Sequence, residues 1–368
     1  MKEIKMLELF GGIGALTKAF KRLGIPHKVV DYVEIDKYAV ASYNAINGTN
    51  FEPQDICTWD KDIEVDLIMH GSPCQDFSLA GLQASGDKGS GTRSSLMWET
   101  IRIVEKLKPK YVIWENVKNL LSKKHRHNFD AYLETMEQLG YTNYYQVLNA
   151  KDYGIPQNRE RVFTISIRND VNRGFVFPQP QELKLKLKDM LEDEVDEKYY
   201  LSEKMIKYIS ATGTANFKNP DCKINLDIAR PLTTNQNKRA GTTNYLSDDL
   251  PNNYDLQIIR DGGLYGNKQA GSIYNKAGLC PTITTEASAN WNILLNVFPR
   301  IRKLTPKECW RLMGFDDEDF EKASTVNSNT QLYKQAGNSI VVNVLEAILT
   351  NLFIKTNRKD IDEFLKGL

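Results

Sequence analysis

Four side chains in this sequence pair a reactive type with a placement that could use it. Cys74 follows a proline in Gly71-Ser72-Pro73-Cys74-Gln75, just past the apolar run Val65-Asp66-Leu67-Ile68-Met69. Inert cysteines favour strand and helix interiors, whereas this one sits where a buried strand gives way to a polar turn. A thiolate near cations is a nucleophile that adds readily and leaves again. Glu115 ends a second apolar run, Tyr111-Val112-Ile113-Trp114, and a carboxyl there can accept or deliver a proton. Arg159 and Arg161 stand two apart in Gln157-Asn158-Arg159-Glu160-Arg161, so on entering a strand their side chains would share one face. Two fixed guanidiniums can hold a carboxylate, a phosphate or a pyrimidine carbonyl.

The stretch Leu7-Glu8-Leu9-Phe10-Gly11-Gly12-Ile13-Gly14-Ala15-Leu16 adds a binding turn. It reads as strand, glycine turn and helix, with the glycines free to turn tightly and approach a ligand at a helix N-terminus. Glu34 ends the next strand roughly twenty residues on, where an acidic side chain can take ribose hydroxyls. The spacing is not G-x-G-x-x-G, which disfavours a dinucleotide and makes S-adenosylmethionine the better match. Residues 79–95 are glycine-rich and carry Lys88 and Arg93. They read either as a solvated surface loop or as a lid that closes over substrate with its cations on phosphates.

Such groups need a scaffold that brings them to one edge. Strand candidates Ile4–Phe10, Lys28–Glu34, Val65–His70, Lys110–Glu115, Tyr144–Asn149 and Arg161–Ile167 alternate with amphipathic stretches such as Ala15, Leu16, Ala19, Phe20 and Leu23. That alternation predicts βαβ units and a mostly parallel, doubly wound α/β sheet. The glycine turn, Cys74 and Glu115 then all lie beyond strand carboxyl ends, the edge where such sheets bind ligands. Composition shifts near Phe177-Pro178-Gln179-Pro180, and the charged stretch Lys184 to Lys198 reads as solvated. Residues 205–300, rich in Asn, Thr, Gly and Lys, read as an irregular second domain. Within them Arg230-Pro231-Leu232-Thr233-Thr234 and Cys280-Pro281-Thr282-Ile283-Thr284-Thr285 are loosely alike, a weak hint of a repeat. Beyond Arg300 the pattern turns helical, and Val341, Val344, Leu345, Ile348 and Leu352 form one apolar face that would pack back onto the first domain.

Composition sets limits. With 368 residues the chain can hold one large domain with an insertion, or two domains. Its five cysteines show no C-x-x-C spacing, which disfavours disulfides or structural zinc and favours a reducing cytoplasm. Apolar runs fall short of a membrane span, and the N-terminus lacks the apolar core of a signal peptide. A net charge of +1 carries no global nucleic-acid signature, so any such surface must be local. None of His27, His70, His125 and His127 sits in a motif that would pair with Cys74 in a thiol protease. His125-Arg126-His127 has no nearby carboxylate or cysteine to complete a metal site.

In this order, six motifs resemble the DNA (cytosine-5) methyltransferase family, the bacterial and phage enzymes that form 5-methylcytosine. They are Phe10-Gly11-Gly12-Ile13-Gly14, Pro73-Cys74-Gln75, Glu115-Asn116-Val117, Gln157-Asn158-Arg159-Glu160-Arg161, the run Arg302 to Phe315, and the run Tyr333 to Leu345. The resemblance extends from Lys5 to about Phe353. It implies a Rossmann-like S-adenosylmethionine-dependent methyltransferase sheet with an inserted irregular, β-rich target-recognition domain. The expected division is a catalytic domain over 1–183, target recognition over 184–300, a hinge segment over 301–332 and a returning C-terminal helix over 333–368.

By the same resemblance Cys74 is the nucleophile that adds to C6 of the target cytosine, and Glu115 hydrogen-bonds or protonates N3. Arg159 and Arg161 support the base carbonyl and the surroundings of the thiolate. Phe10, Gly12, Gly14, Glu34, Ile35, Asp55, Ile56, Pro73 and Asn338 match positions lining the S-adenosylmethionine pocket. Gln75, Ser78, Lys88, Arg93, Gln269 and Thr282 are the expected DNA contacts, with Arg260, Lys268 and Lys276 equally readable as plain surface cations. Expected partners are double-stranded DNA and, by genetic pairing alone, a restriction endonuclease; the expected state is a cytoplasmic monomer without a metal. Departures from the family pattern are Gly11 for alanine, Ser72 for phenylalanine, and Phe315-Asp316-Asp317 for Phe-Pro-Asp. Two other readings stand beside this one: a tRNA cytosine-5 methyltransferase, and a non-catalytic DNA-binding regulator, against which the intact Cys74, Glu115, Arg159 and Arg161 argue.

Overall fold

The computed structural model describes residues 2–72, 96–202, 205–206, 223–234, 243–248, 254–255 and 300–355. Its main sheet contains β1 (Ile4–Leu9), β2 (His27–Val33), β3 (Leu67–His70), β4 (Tyr111–Val117), β5 (Tyr141–Asn149) and β6 (Glu160–Arg168), in the order β2-β1-β3-β4-β6-β5. The first four strands in that order run parallel; β6 is antiparallel to both β4 and β5. All six predicted strands form, and the reversal of β6 is the exception to the parallel expectation. The short turn through Ala150–Tyr153 leads the chain directly back along β5, where a parallel return would need a crossover helix.

Strands β1 and β3 are buried along almost their whole length because helices cover both faces of the sheet. Helix α1 (Ala15–Arg22) buries Ala15, Leu16, Ala19 and Phe20, and Lys21 and Arg22 in its last turn suit the negative end of its dipole. Helix α2 (Lys37–Asn47) starts where Asp36 accepts a hydrogen bond from the Tyr38 amide at 3.0 Å, and stops at Gly48 in a left-handed conformation. On the other face lie α3 (Met97–Leu107) and α4 (Arg126–Gln138). The chain leaves β1 toward β2 on one side and later returns to β3 on the other, so a crevice opens between the carboxyl ends of β1 and β3.

Beyond β6, the charged stretch is less solvated than expected. Leu187 and Met190 are buried, the Glu192 amide donates to Glu308 Oε1 at 3.0 Å, and the Thr305 hydroxyl donates to the Glu192 carboxylate. Four short strands, β7 (Lys223–Ile224), β8 (Tyr245–Leu246), β9 (Tyr254–Asp255) and β10 (Arg302–Lys303), form a second sheet in the order β10-β8-β7-β9. Among the described residues four α-helices follow β10: α5 (Pro306–Arg311), α6 (Asp317–Ser324), α7 (Asn329–Asn338) and α8 (Val342–Leu349), with a π-helical turn over Thr350–Ile354 after them. Thr305 and Glu308 cap α5 reciprocally, with Pro306 at its first position. Val341, Val344, Leu345, Ile348 and Leu352 are all buried, and α8 packs on α1 as its apolar face predicts. By length and composition Asn329–Ile354 could cross a membrane, yet half of its most apolar stretch is buried inside the protein.

Candidate active site

The crevice between β1 and β3 is a narrow cleft lined by Phe10 to Ile13, Gly71, Glu115 and Asn338 to Ile340. It therefore joins the glycine turn, the ends of β3 and β4, and the C-terminal segment. Each glycine of the turn has its own reason. Gly12 and Gly14 take φ of 55° and 82°, and Phe10 reaches 54° without being glycine. A Cβ on Gly11 would lie 2.6 Å from the Tyr32 ring, and one on Gly14 would lie 2.7 Å from Tyr43. The close approach at Gly11 and Gly14 is thus to the protein's own tyrosines, which stack at 4.0 Å. Alanine, expected at position 11 from the family pattern, has no room under Tyr32.

Glu34 sits at the end of β2 beside this turn. Its Oε2 accepts from the Gly12 amide at 3.2 Å and its Oε1 from the Asp36 amide at 2.9 Å. Burial raises its pKa, and those two amides oppose the shift. Ile35 next to it is 68% exposed. Asp55 is exposed, while Ile56 is buried in the core. A carboxylate with spare lone pairs, a bare isoleucine and a glycine turn together fit a nucleoside-bearing ligand: hydroxyls on Glu34, a purine face on Ile35. Asn338, exposed at the end of α7, lines the far wall.

Glu115 closes the floor. It is buried, and Arg161 Nε lies 3.1 Å from its Oε1. Burial raises the Glu115 pKa; the charges of Arg161 and then Arg159 oppose this. Both arginines thus stand near the carboxyl, but their contacts differ. Arg159 precedes β6 and is only 4% exposed, and its guanidinium donates to the carbonyls of Leu232, Gly337 and Ser339 at 2.8, 3.0 and 2.8 Å. Pro73, Cys74, Gln75, Ser78, Lys88, Arg93, Gln269 and Thr282 lie outside the described residues, as do Arg260, Lys268 and Lys276. The residue before them, Ser72, is buried and accepts a hydrogen bond from Trp114 Nε1 at 3.1 Å, so the segment leading to Cys74 starts one strand away from Glu115.

Sequence reasoning missed Glu8. Its carboxyl is buried against the turn, takes hydrogen bonds from the Thr17 and Tyr43 hydroxyls, and has a pKa pushed up to about 7 by burial. The signal was available: it is the lone acid inside the apolar run Met6-Leu7-Glu8-Leu9-Phe10. Among the described residues no cluster of three or more His, Cys, Asp or Glu could hold a metal ion.

Residues 4–354 match the model of the C-5 cytosine-specific DNA methylase family. The chain belongs to that family. It is an enzyme of the DNA cytosine-5 methyltransferase class, and the family implies S-adenosylmethionine as methyl donor and double-stranded DNA as substrate. Similar proteins include the type II methyltransferase M2.ScrFI of Lactococcus lactis subsp. cremoris, 35% identical, with 95% of this chain and 99% of that one covered. The orphan methyltransferase M.SPBetaI of Bacillus phage SPbeta is 32% identical, with 96% and 98% covered. Among solved structures, the Entamoeba histolytica methyltransferase EhMeth matches with a TM-score of 0.69 at 18% identity, covering 97% of this chain and 100% of that one, a likeness of fold.

Proposed function

We propose that this methyltransferase modifies C5 of one cytosine in a short duplex sequence, after flipping that base into the cleft, through a covalent bond between Cys74 and C6. The observation that carries this reading is the buried carboxyl of Glu115 on the floor of the cleft, paired with the partly buried Arg161. S-adenosylmethionine supplies the methyl group from its sulfonium. C5 of cytosine is too weak a nucleophile to take it unaided. The Cys74 thiolate bonds to C6 while Glu115, kept protonated more readily by its burial, gives its proton or a hydrogen bond to N3. The electron pair moves onto C5, which then accepts the methyl group. Transfer of the C5 proton to water and departure of the Cys74 thiolate from C6 restore the ring, and Glu115 recovers its proton from N3. Arg161 holds the carboxyl in place throughout. A stacked base cannot reach this cleft, so flipping precedes the chemistry and costs a few kcal/mol.

In this reading residues 1–183 form the catalytic domain and 184–300 read the DNA, with Gln75, Ser78, Lys88, Arg93, Gln269 and Thr282 at phosphates or bases. The segments 301–332 and 333–368 serve as hinge and return helix. The enzyme acts as a cytoplasmic monomer without a metal, with or without a partnering endonuclease. Bisulfite sequencing of mixed-sequence duplex DNA, incubated with the protein and S-adenosylmethionine, tests the proposal. Protected cytosines at one recurring short sequence, absent with Cys74→Ala, are expected; no protection by protein that binds the cofactor would sink it.

A further inference from the structure

We infer that Arg159 is a positioning residue: it locks the 229–234 segment to the wall of the cofactor cleft, so that the cofactor and DNA each strengthen binding of the other. The inference rests on the function proposed above. Arg159 and Gln157 between them take both backbone groups of Leu232. Arg159 donates to its carbonyl at 2.8 Å, and Gln157 Oε1 accepts from its amide at 3.0 Å. Nη2 of Arg159 donates to the carbonyls of Gly337 and Ser339, on either side of the cleft-lining Asn338, and Gln157 Nε2 donates to the Leu312 carbonyl at 2.8 Å. Backbone bonds Ala229 N to Pro156 O and Asn158 N to Ala229 O, both 2.8 Å, extend the seam.

The seam has no slack. A Cβ on Gly337 would lie 2.5 Å from the Thr233 carbonyl carbon and 2.6 Å from the Thr234 amide nitrogen. Backbone meets backbone there, without a flexible side chain to absorb a shift. Any displacement of residues 229–234 must therefore move Gly337, and with it Asn338 in the cleft wall. The same short motif supplies Arg161, which holds Glu115. One planar fork thus ties the recognition side, the cofactor wall and the catalytic strand together, and a lysine supplies the charge but, with its donors on a single nitrogen, does not span carbonyls held by two separate ones. Linkage makes the effect reciprocal.

Calorimetric titration of S-adenosylhomocysteine, with and without duplex DNA carrying the target sequence, tests this. In the wild type DNA should tighten the ligand several-fold, within the roughly 5–150-fold range of coupled sites. In Arg159→Lys and in Gly337→Ala that factor should fall toward one, while each ligand alone still binds. Either variant suffices should the other fail to fold. A coupling factor preserved in a folded variant, even one that melts at lower temperature, would assign Arg159 a merely structural role and overturn the inference, as would a wild type without coupling. A wild type that neither binds nor methylates DNA is a different result: it removes the proposed function and this inference together.

Discussion

Arg161 Nε stands 3.1 Å from Glu115 Oε1 across the paired strands β4 and β6, where Val117 is the backbone partner of Arg161. The pair is offset by two residues, so both side chains rise from the same face of the sheet. Burial raises the Glu115 pKa and Arg161 opposes it. The protonated carboxyl is the form that serves N3, so kcat/KM should fall on the alkaline side as pH passes the raised pKa. Arg161→Gln removes the main opposing charge and should move that limb to higher pH. Glu115→Gln should lower kcat about 10²–10⁴-fold and abolish the limb. A limb unmoved in both variants in pH–rate profiles would assign it to another group.

Cys74→Ala should abolish methyl transfer without weakening S-adenosylhomocysteine binding, because the nucleophile contributes to the chemistry and not to the cofactor site. Denaturing gel electrophoresis after incubation with S-adenosylmethionine and duplex containing 5-fluorocytosine should show a covalent complex for the wild type and none for Cys74→Ala. The fluorine cannot leave as the C5 proton does, so the adduct persists.

Gly14→Ala should destabilise the fold by about 1–3 kcal/mol, since it combines a left-handed residue with a Cβ only 2.7 Å from the Tyr43 ring. Tyr43→Leu in the same chain should recover part of the packing loss but not the backbone strain. Urea midpoints of the single and double variants measure the two contributions.

Glu8 makes stability depend on pH. Its folded pKa of about 7 lies above the ordinary value of 4.5, so the folded state binds the proton more tightly than the unfolded one. The resulting stabilisation is fully present below the unfolded pKa and lost as pH rises through the folded one, and amounts to about 3 kcal/mol. Glu8→Gln should remove it, making the variant gain on the wild type between pH 5 and 8. A difference in denaturation free energy that stays flat over that range would contradict the assignment.

The sequence by itself determined the strand series, the helix that returns to α1 and the family. These follow from local signals: apolar runs bounded by turn residues, a face of Val341, Val344, Leu345 and Ile348 at helical spacing, and motifs whose order is a property of the chain. It also placed the glycine turn, Glu34 and Glu115 at strand carboxyl ends, since a parallel sheet sends all of them to one edge. Tertiary structure alone decided the reversed direction of β6, because both directions carry the same alternating pattern. It also separated Arg159 from Arg161. Two arginines two residues apart look alike in sequence, yet one faces Glu115 and the other is held by carbonyls of Leu232, Gly337 and Ser339. Those carbonyls lie more than seventy residues away along the chain, and a backbone oxygen has no residue type for a sequence to display.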